Sequence, residues 1–86
     1  MKIEATTIIG LSVYTNSAVS VGEVTDLILD FNTNSIYGLY IQETNPELVD
    51  GGVPVSVPYR LIKALYNIII LKAFPEHIKV KLEEIQ

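Results

Sequence analysis

Val24-Thr25-Asp26-Leu27-Ile28-Leu29-Asp30-Phe31 is followed by the polar stretch Asn32-Thr33-Asn34-Ser35 and then by Ile36-Tyr37-Gly38-Leu39-Tyr40-Ile41. In the first segment Leu27, Leu29 and Phe31 fall on one face of a strand, and Asp26, Ile28 and Asp30 on the other. That alternation is the pattern of an antiparallel strand with one face half-solvated. In the second segment Tyr37, Leu39 and Ile41 share one face, and Ile36 and Tyr40 the other. Two alternating runs joined by turn-forming residues predict a β-hairpin. This hairpin sets the class of the whole chain as mainly β.

The flanking sequence extends the pattern. Ile and Val together supply 21 of the 86 residues, a composition that favours strand. Upstream, Leu11-Ser12-Val13-Tyr14 alternates with Leu11 and Val13 on one face, and Thr15-Asn16-Ser17 reads as a turn. The lead-in from Ala5 to Gly10 fits either one short helical turn or an extended segment. Downstream, Gln42 to Gly52 reads as a long polar loop containing Pro46 and the Gly51-Gly52 pair. Val53 to Val57 reads as a strand. Pro54 and Pro58 lack amide protons, which places this strand at a sheet edge or makes them its ends. Pro58 to Leu65 has the spacing of a short helical turn with Pro at its first position.

Ile68 to Leu71 is apolar throughout, so both of its faces are expected to be buried. Lys72 follows it as a charge that discourages aggregation. The last segment, His77-Ile78-Lys79-Val80-Lys81-Leu82, alternates strictly, with Ile78, Val80 and Leu82 on one face. Lysines on the opposite face are a common guard on exposed sheet edges.

A chain of 86 residues has room for one domain, and one this small has a thin stability margin. It contains no Cys and a single His, which excludes disulfides and zinc sites of the Cys/His type. A dense core or a second copy must supply the stability. Apolar residues make up 49% of the chain, more than a small core needs. The surplus predicts a homodimer. The strand at residues 77–82 either closes its own barrel or packs against a second copy.

The longest apolar run, Ile68-Ile69-Ile70-Leu71, is far short of the roughly 18–20 residues of a membrane-spanning helix. Met1-Lys2-Ile3-Glu4 lacks the features of a signal peptide, and the absence of Cys fits a reducing compartment. A cytoplasmic location is expected. The net charge of −4 argues against direct binding of nucleic acid, which needs a basic face. No basic residue lies between Lys2 and Arg60, whereas Arg60, Lys63, Lys72, Lys79 and Lys81 dominate the remainder. Either the two halves form faces of opposite sign that steer association, or their strands interleave and the charges mix.

A catalytic constellation is not evident. Asp26 and Asp30 are separated by roughly 13 Å along a strand, too far for a carboxylate dyad and beyond a glycosidase pair. His77 has no acid or thiol at metal or triad spacing, and Gly51-Gly52 is not followed by the Lys-Ser/Thr of a phosphate loop. No enzyme activity, cofactor or metal is expected. Of the five tyrosines, Tyr59 is the one beside an arginine, Arg60, just after Pro58. Tyr and Arg are enriched at interface hot spots, so Tyr59 and Arg60 are candidate protein-binding residues. Ile78, Val80 and Leu82 join them through the expected second-copy contact.

Val21-Gly22-Glu23-Val24-Thr25-Asp26 leading into the hairpin, and Val57-Pro58-Tyr59-Arg60-Leu61-Ile62-Lys63-Ala64 leading into Ile68-Ile69-Ile70, together resemble the photosynthetic-reaction-centre (PRC) barrel family. The shared pattern is a Gly-x-Val-x-Asp strand, a hairpin to a strand with Gly-Leu, and a Val-Pro strand end before a last apolar strand. It spans about residues 10–72 of a single domain, 1–86. Departures are Tyr66-Asn67 in place of the usual Gly-Asp turn and a longer loop from Gln42 to Gly52. The chain looks most like stand-alone archaeal members. The resemblance implies a small barrel of about six antiparallel strands with one short helical turn, often self-associating, that works as an adaptor. It further implies a role in the archaeal cell-division machinery with the membrane anchor of the tubulin-like ring as partner. The alternative is a ribosome-associated factor in RNA maturation.

Overall fold

The computed structural model describes residues 7–74, so the expectations for His77, Ile78, Val80 and Leu82 fall outside the described residues. Among the described residues there are seven strands: β1 (Ser12–Tyr14), β2 (Ser20–Glu23), β3 (Asp26–Asp30), β4 (Ser35–Ile41), β5 (Val55–Pro58), β6 (Ile62–Leu65) and β7 (Ile68–Leu71). They form a four-stranded sheet in the order β2-β1-β7-β6 and a three-stranded sheet in the order β3-β4-β5. Neighbours pair antiparallel except β1 and β7, which run parallel. Mainly β structure was expected. The parallel pair was not, and among the described residues the two sheets do not close into one continuous barrel.

Two corners carry the chain from one sheet to the other. At the first, the Val24 amide donates to the Leu11 carbonyl (2.9 Å) and the Gly10 amide donates to the Val24 carbonyl (2.8 Å). One residue later the Thr25 amide donates to the Tyr40 carbonyl (2.8 Å). The chain therefore changes partners, from the β1 side to β4, within a single residue. The second corner is the 3-10 turn Tyr59–Leu61 between β5 and β6. Sequence spacing had extended a helical turn to Leu65, but Ile62–Leu65 is strand β6. Pairing of β6 with β7 satisfies its backbone groups better than an isolated turn.

Between the sheets lies one core. Val13, Val21, Ile69 and Leu71 enter it from the four-stranded sheet, and Leu39, Ile41 and Val57 from the other. Ile8, Leu48 and Val49 reach it from the connections. The segment from Gln42 to Gly52 is thus more than a polar loop, because Leu48 and Val49 fill the core beneath it. It is pinned in place: the Asn45 side-chain amide donates to the Ser20 carbonyl (2.8 Å), and the buried Thr44 hydroxyl donates to the Val53 carbonyl (2.7 Å). Ile8 sits in a turn at Thr7–Gly10, the compact alternative for the lead-in.

Bulges correct the strict alternation. In the β3–β4 ladder Ile28 faces Gly38 but Leu29 faces Ile36, so Tyr37 is the extra residue. Ile36 therefore packs against the core and Tyr37 is 57% exposed, the reverse of the expected faces. A second bulge at Val21 turns both Val21 and Gly22 inward opposite Val13 and leaves Glu23 beside Ser12 on the outer face. Ile68 and Ile70 are only partly buried, because no described element lies over that side of β7. The expectation that both faces of β7 are buried is corrected accordingly.

Gly38 is fixed by packing. A Cβ there would lie 2.7 Å from the Val57 carbonyl oxygen across the ladder, so Gly38→Ala should cost about 1–3 kcal/mol. Ala18 has φ +66°, a left-handed conformation that penalises any Cβ. Ala18→Gly should therefore stabilise by up to about 1 kcal/mol. Urea midpoints with unchanged m-values would test both, and a destabilising Ala18→Gly would contradict the turn geometry.

Candidate functional site

Pro58 fixes its own φ at −59° and delivers Tyr59 into the second corner, where the Ile62 amide returns to the Tyr59 carbonyl. Tyr59 is half-buried and Arg60 is exposed. The two predicted residues thus stand together on a short, stiff turn between β5 and β6. Ile78, Val80 and Leu82 lie outside the described residues.

Asp26 and Asp30 are engaged locally. The Asp26 carboxylate accepts from the Leu27 amide (2.8 Å) and the Asp30 carboxylate from the Asn32 amide (2.9 Å). Both bonds shape the hairpin's own backbone, a common role for Asp at strand ends and turns. The Gly52 amide turns back to the Val49 carbonyl (2.9 Å) and is engaged within the loop. Among the described residues no group of three or more His, Cys, Asp or Glu is gathered in one place.

Two apolar surfaces that the sequence did not single out are present. The first is the outer face of the four-stranded sheet. Ser12 and Tyr14 on β1 lie beside Ile68 and Ile70 on β7, with Ala64 of β6 opposite Ile70. Tyr14, Asn16, Ala18, Ile68 and Ile70 line a shallow apolar depression there. Lys63, the extra residue of a bulge in β6, donates from its ammonium to the Asn16 side-chain carbonyl (3.2 Å) and stands at the rim.

The second surface is the hairpin tip, where Leu29 is 48% and Phe31 84% exposed. These two were expected to share a core face with Leu27. Only Leu27 packs on the core, since the hairpin runs on past it. Alternation records which way a side chain points but not where the opposing sheet stops, so the sequence carried no signal for this. Tyr66, 77% exposed, occupies the β6–β7 turn.

The arrangement is that of a small two-sheet scaffold with exposed turns and an apolar outer sheet face. The family model for the PRC-barrel domain matches residues 1–78, and the chain belongs to that family. The match reaches beyond the stretch 10–72 that carried the resemblance in the sequence. PRC-barrel domains mediate protein interactions. No curated protein matches the chain. No helix among the described residues is long and apolar enough to cross a membrane.

Because neither ring belongs to the core, Phe31→Ser and Tyr66→Ser should each change the unfolding free energy by less than about 0.5 kcal/mol. Urea denaturation checks this. A loss of about 2 kcal/mol in either variant would show that the ring is packed, and so unavailable to a partner.

Proposed function

We propose that this domain is a non-enzymatic protein-binding adaptor that acts as a homodimer in the cytoplasm. The observation that carries the reading is the outer face of the four-stranded sheet, an apolar strip of Tyr14, Ala64, Ile68 and Ile70 on a domain of an interaction family. A contiguous, partly exposed apolar surface of this kind marks interaction sites in small domains. The stiff corner bearing Tyr59 and Arg60 offers the residue types enriched in hot spots, and is the candidate contact for a heterologous partner. The biological setting we propose is the archaeal cell-division machinery, with the membrane anchor of the tubulin-like ring as that partner. This finer reading rests on the resemblance to stand-alone archaeal family members.

Affinity capture of the tagged protein from its own cells tests the setting. Cell-division proteins should be enriched, and Arg60→Ala should reduce their recovery. Asp26→Asn with Asp30→Asn, and separately His77→Ala, should leave recovery unchanged. Enrichment of ribosomal proteins instead would replace the reading by the ribosome-associated one. Light scattering coupled to size exclusion, from micromolar to near-millimolar protein, should show a dimer. Truncation after Phe74 then asks whether the 77–82 segment contributes to it.

A further inference from the structure

Register places two opposite charges at opposite corners of the outer sheet face. Glu23 pairs with Ser12 at the outer edge of β2, and the bulge at Val21 is what turns it to this side. Lys63 sits in the β6 bulge next to Ala64, which pairs with Ile70. Both are exposed, and the bond from Lys63 to Asn16 holds the ammonium over the upper end of the face. From β2 to β6 is the full width of the sheet, about 14 Å at roughly 4.8 Å per strand step. Ser12 pairs with Ile68 and Tyr14 with Ile70, so the two corners also differ in height by two to three residues, about 7–10 Å. Ile70 lies close to the diagonal between them, with Tyr14 and Ile68 on either side of it.

A face with an acid at one corner, a base at the diagonally opposite corner and an apolar strip between them is complementary to itself. A two-fold axis lying in the plane of the face, perpendicular to that diagonal, exchanges the corners. Lys63 of one copy then meets Glu23 of the other, twice, and the apolar strips meet at the centre. The strands of the two copies cross steeply, toward the orthogonal class of sheet packing. Two-fold contacts of this isologous kind are the commonest route to a dimer.

We propose that the outer face of the β2-β1-β7-β6 sheet is the homodimer interface, closed by reciprocal Glu23–Lys63 contacts around Tyr14, Ile68 and Ile70. This rests on the homodimer reading above and names the surface that it uses. The face spans only about 14 Å by four residues, so each copy buries a few hundred Å², well short of the roughly 800 Å² per partner of a standard stable complex. Association is therefore weak and concentration-dependent. The charge contacts are weakened by salt.

Sedimentation equilibrium of the full chain decides it, with circular dichroism confirming that each variant is folded. Lys63→Glu and Glu23→Lys should each weaken the dimer about ten- to a hundred-fold, since each replaces two attractions by two repulsions. The double variant carrying both changes should dimerise nearly as well as the wild type. Ile70→Ser should abolish the dimer, with Ile68→Ser as the second variant if the first does not fold. Rescue in the double variant is the supporting result, because a merely structural role for either residue would not produce it. A dimer insensitive to all of these changes overturns the proposed face while the homodimer reading stands, and points to another surface or to residues beyond Phe74. A monomer at every concentration overturns both.

Discussion

The amide of Val24 is directed at Leu11 and the amide of Thr25 at Tyr40, and the remaining architecture follows from that change of partner. Strands this short cannot enclose a core within one sheet. By passing from one sheet to another in mid-course, the chain places Val21 and Val24 on one side of the interior and Leu27 on the other. At the bend the Val24 amide and carbonyl and the Thr25 amide are all hydrogen-bonded, as burial demands. The 3-10 turn at Tyr59–Leu61 repeats the manoeuvre on the far side. There the Lys72 amide donates to the Leu61 carbonyl (2.7 Å), tying the end of β7 to the corner.

With the sheets joined at two corners, the space between them still has an open end. The Gln42–Gly52 segment fills it with Leu48 and Val49, and backbone approaches on either side are close. At Gly22 a Cβ would lie 2.6 Å from the Glu43 carbonyl oxygen, and at Gly38 2.7 Å from that of Val57. The glycines of the recognised strand pattern are therefore requirements of packing between backbones. In a domain without disulfides, such contacts and the small core carry the fold.

Function, in the proposed reading, is assigned to what the core leaves over. The seven strands of the described residues bury one face of each sheet, and the outer side of β1 and β7 retains an apolar strip that no described element covers. The hairpin tip with Phe31 and the corner with Tyr59 and Arg60 lie elsewhere on the surface. Separate surfaces would let an adaptor engage a second copy and a different partner together. The acidic first half and basic second half of the sequence do not form separate bodies. In the four-stranded sheet β2 and β1 of the first half lie side by side with β7 and β6 of the second, which sets Glu23 and Lys63 at opposite edges of a single face.

Local pattern sufficed for the class of the fold, the β3–β4 hairpin, the proline-bounded edge strand β5 and the family, because alternation, turn residues and glycine spacing are properties of neighbouring residues. Bulges are not, since an extra residue is defined only by the strand opposite it. Ile36 and Tyr37 exchanged faces for that reason, and Glu23 came to the outer side. The parallel pairing of β1 with β7 joins segments more than fifty residues apart, and nothing local announces it. Ile68 and Ile70 read as buried because their sequence is uniformly apolar, whereas burial depends on whether another layer lies above them. By itself the sequence determined what kind of domain this is. Only the tertiary structure decided which surfaces it presents, since exposure depends on where one sheet ends relative to the other.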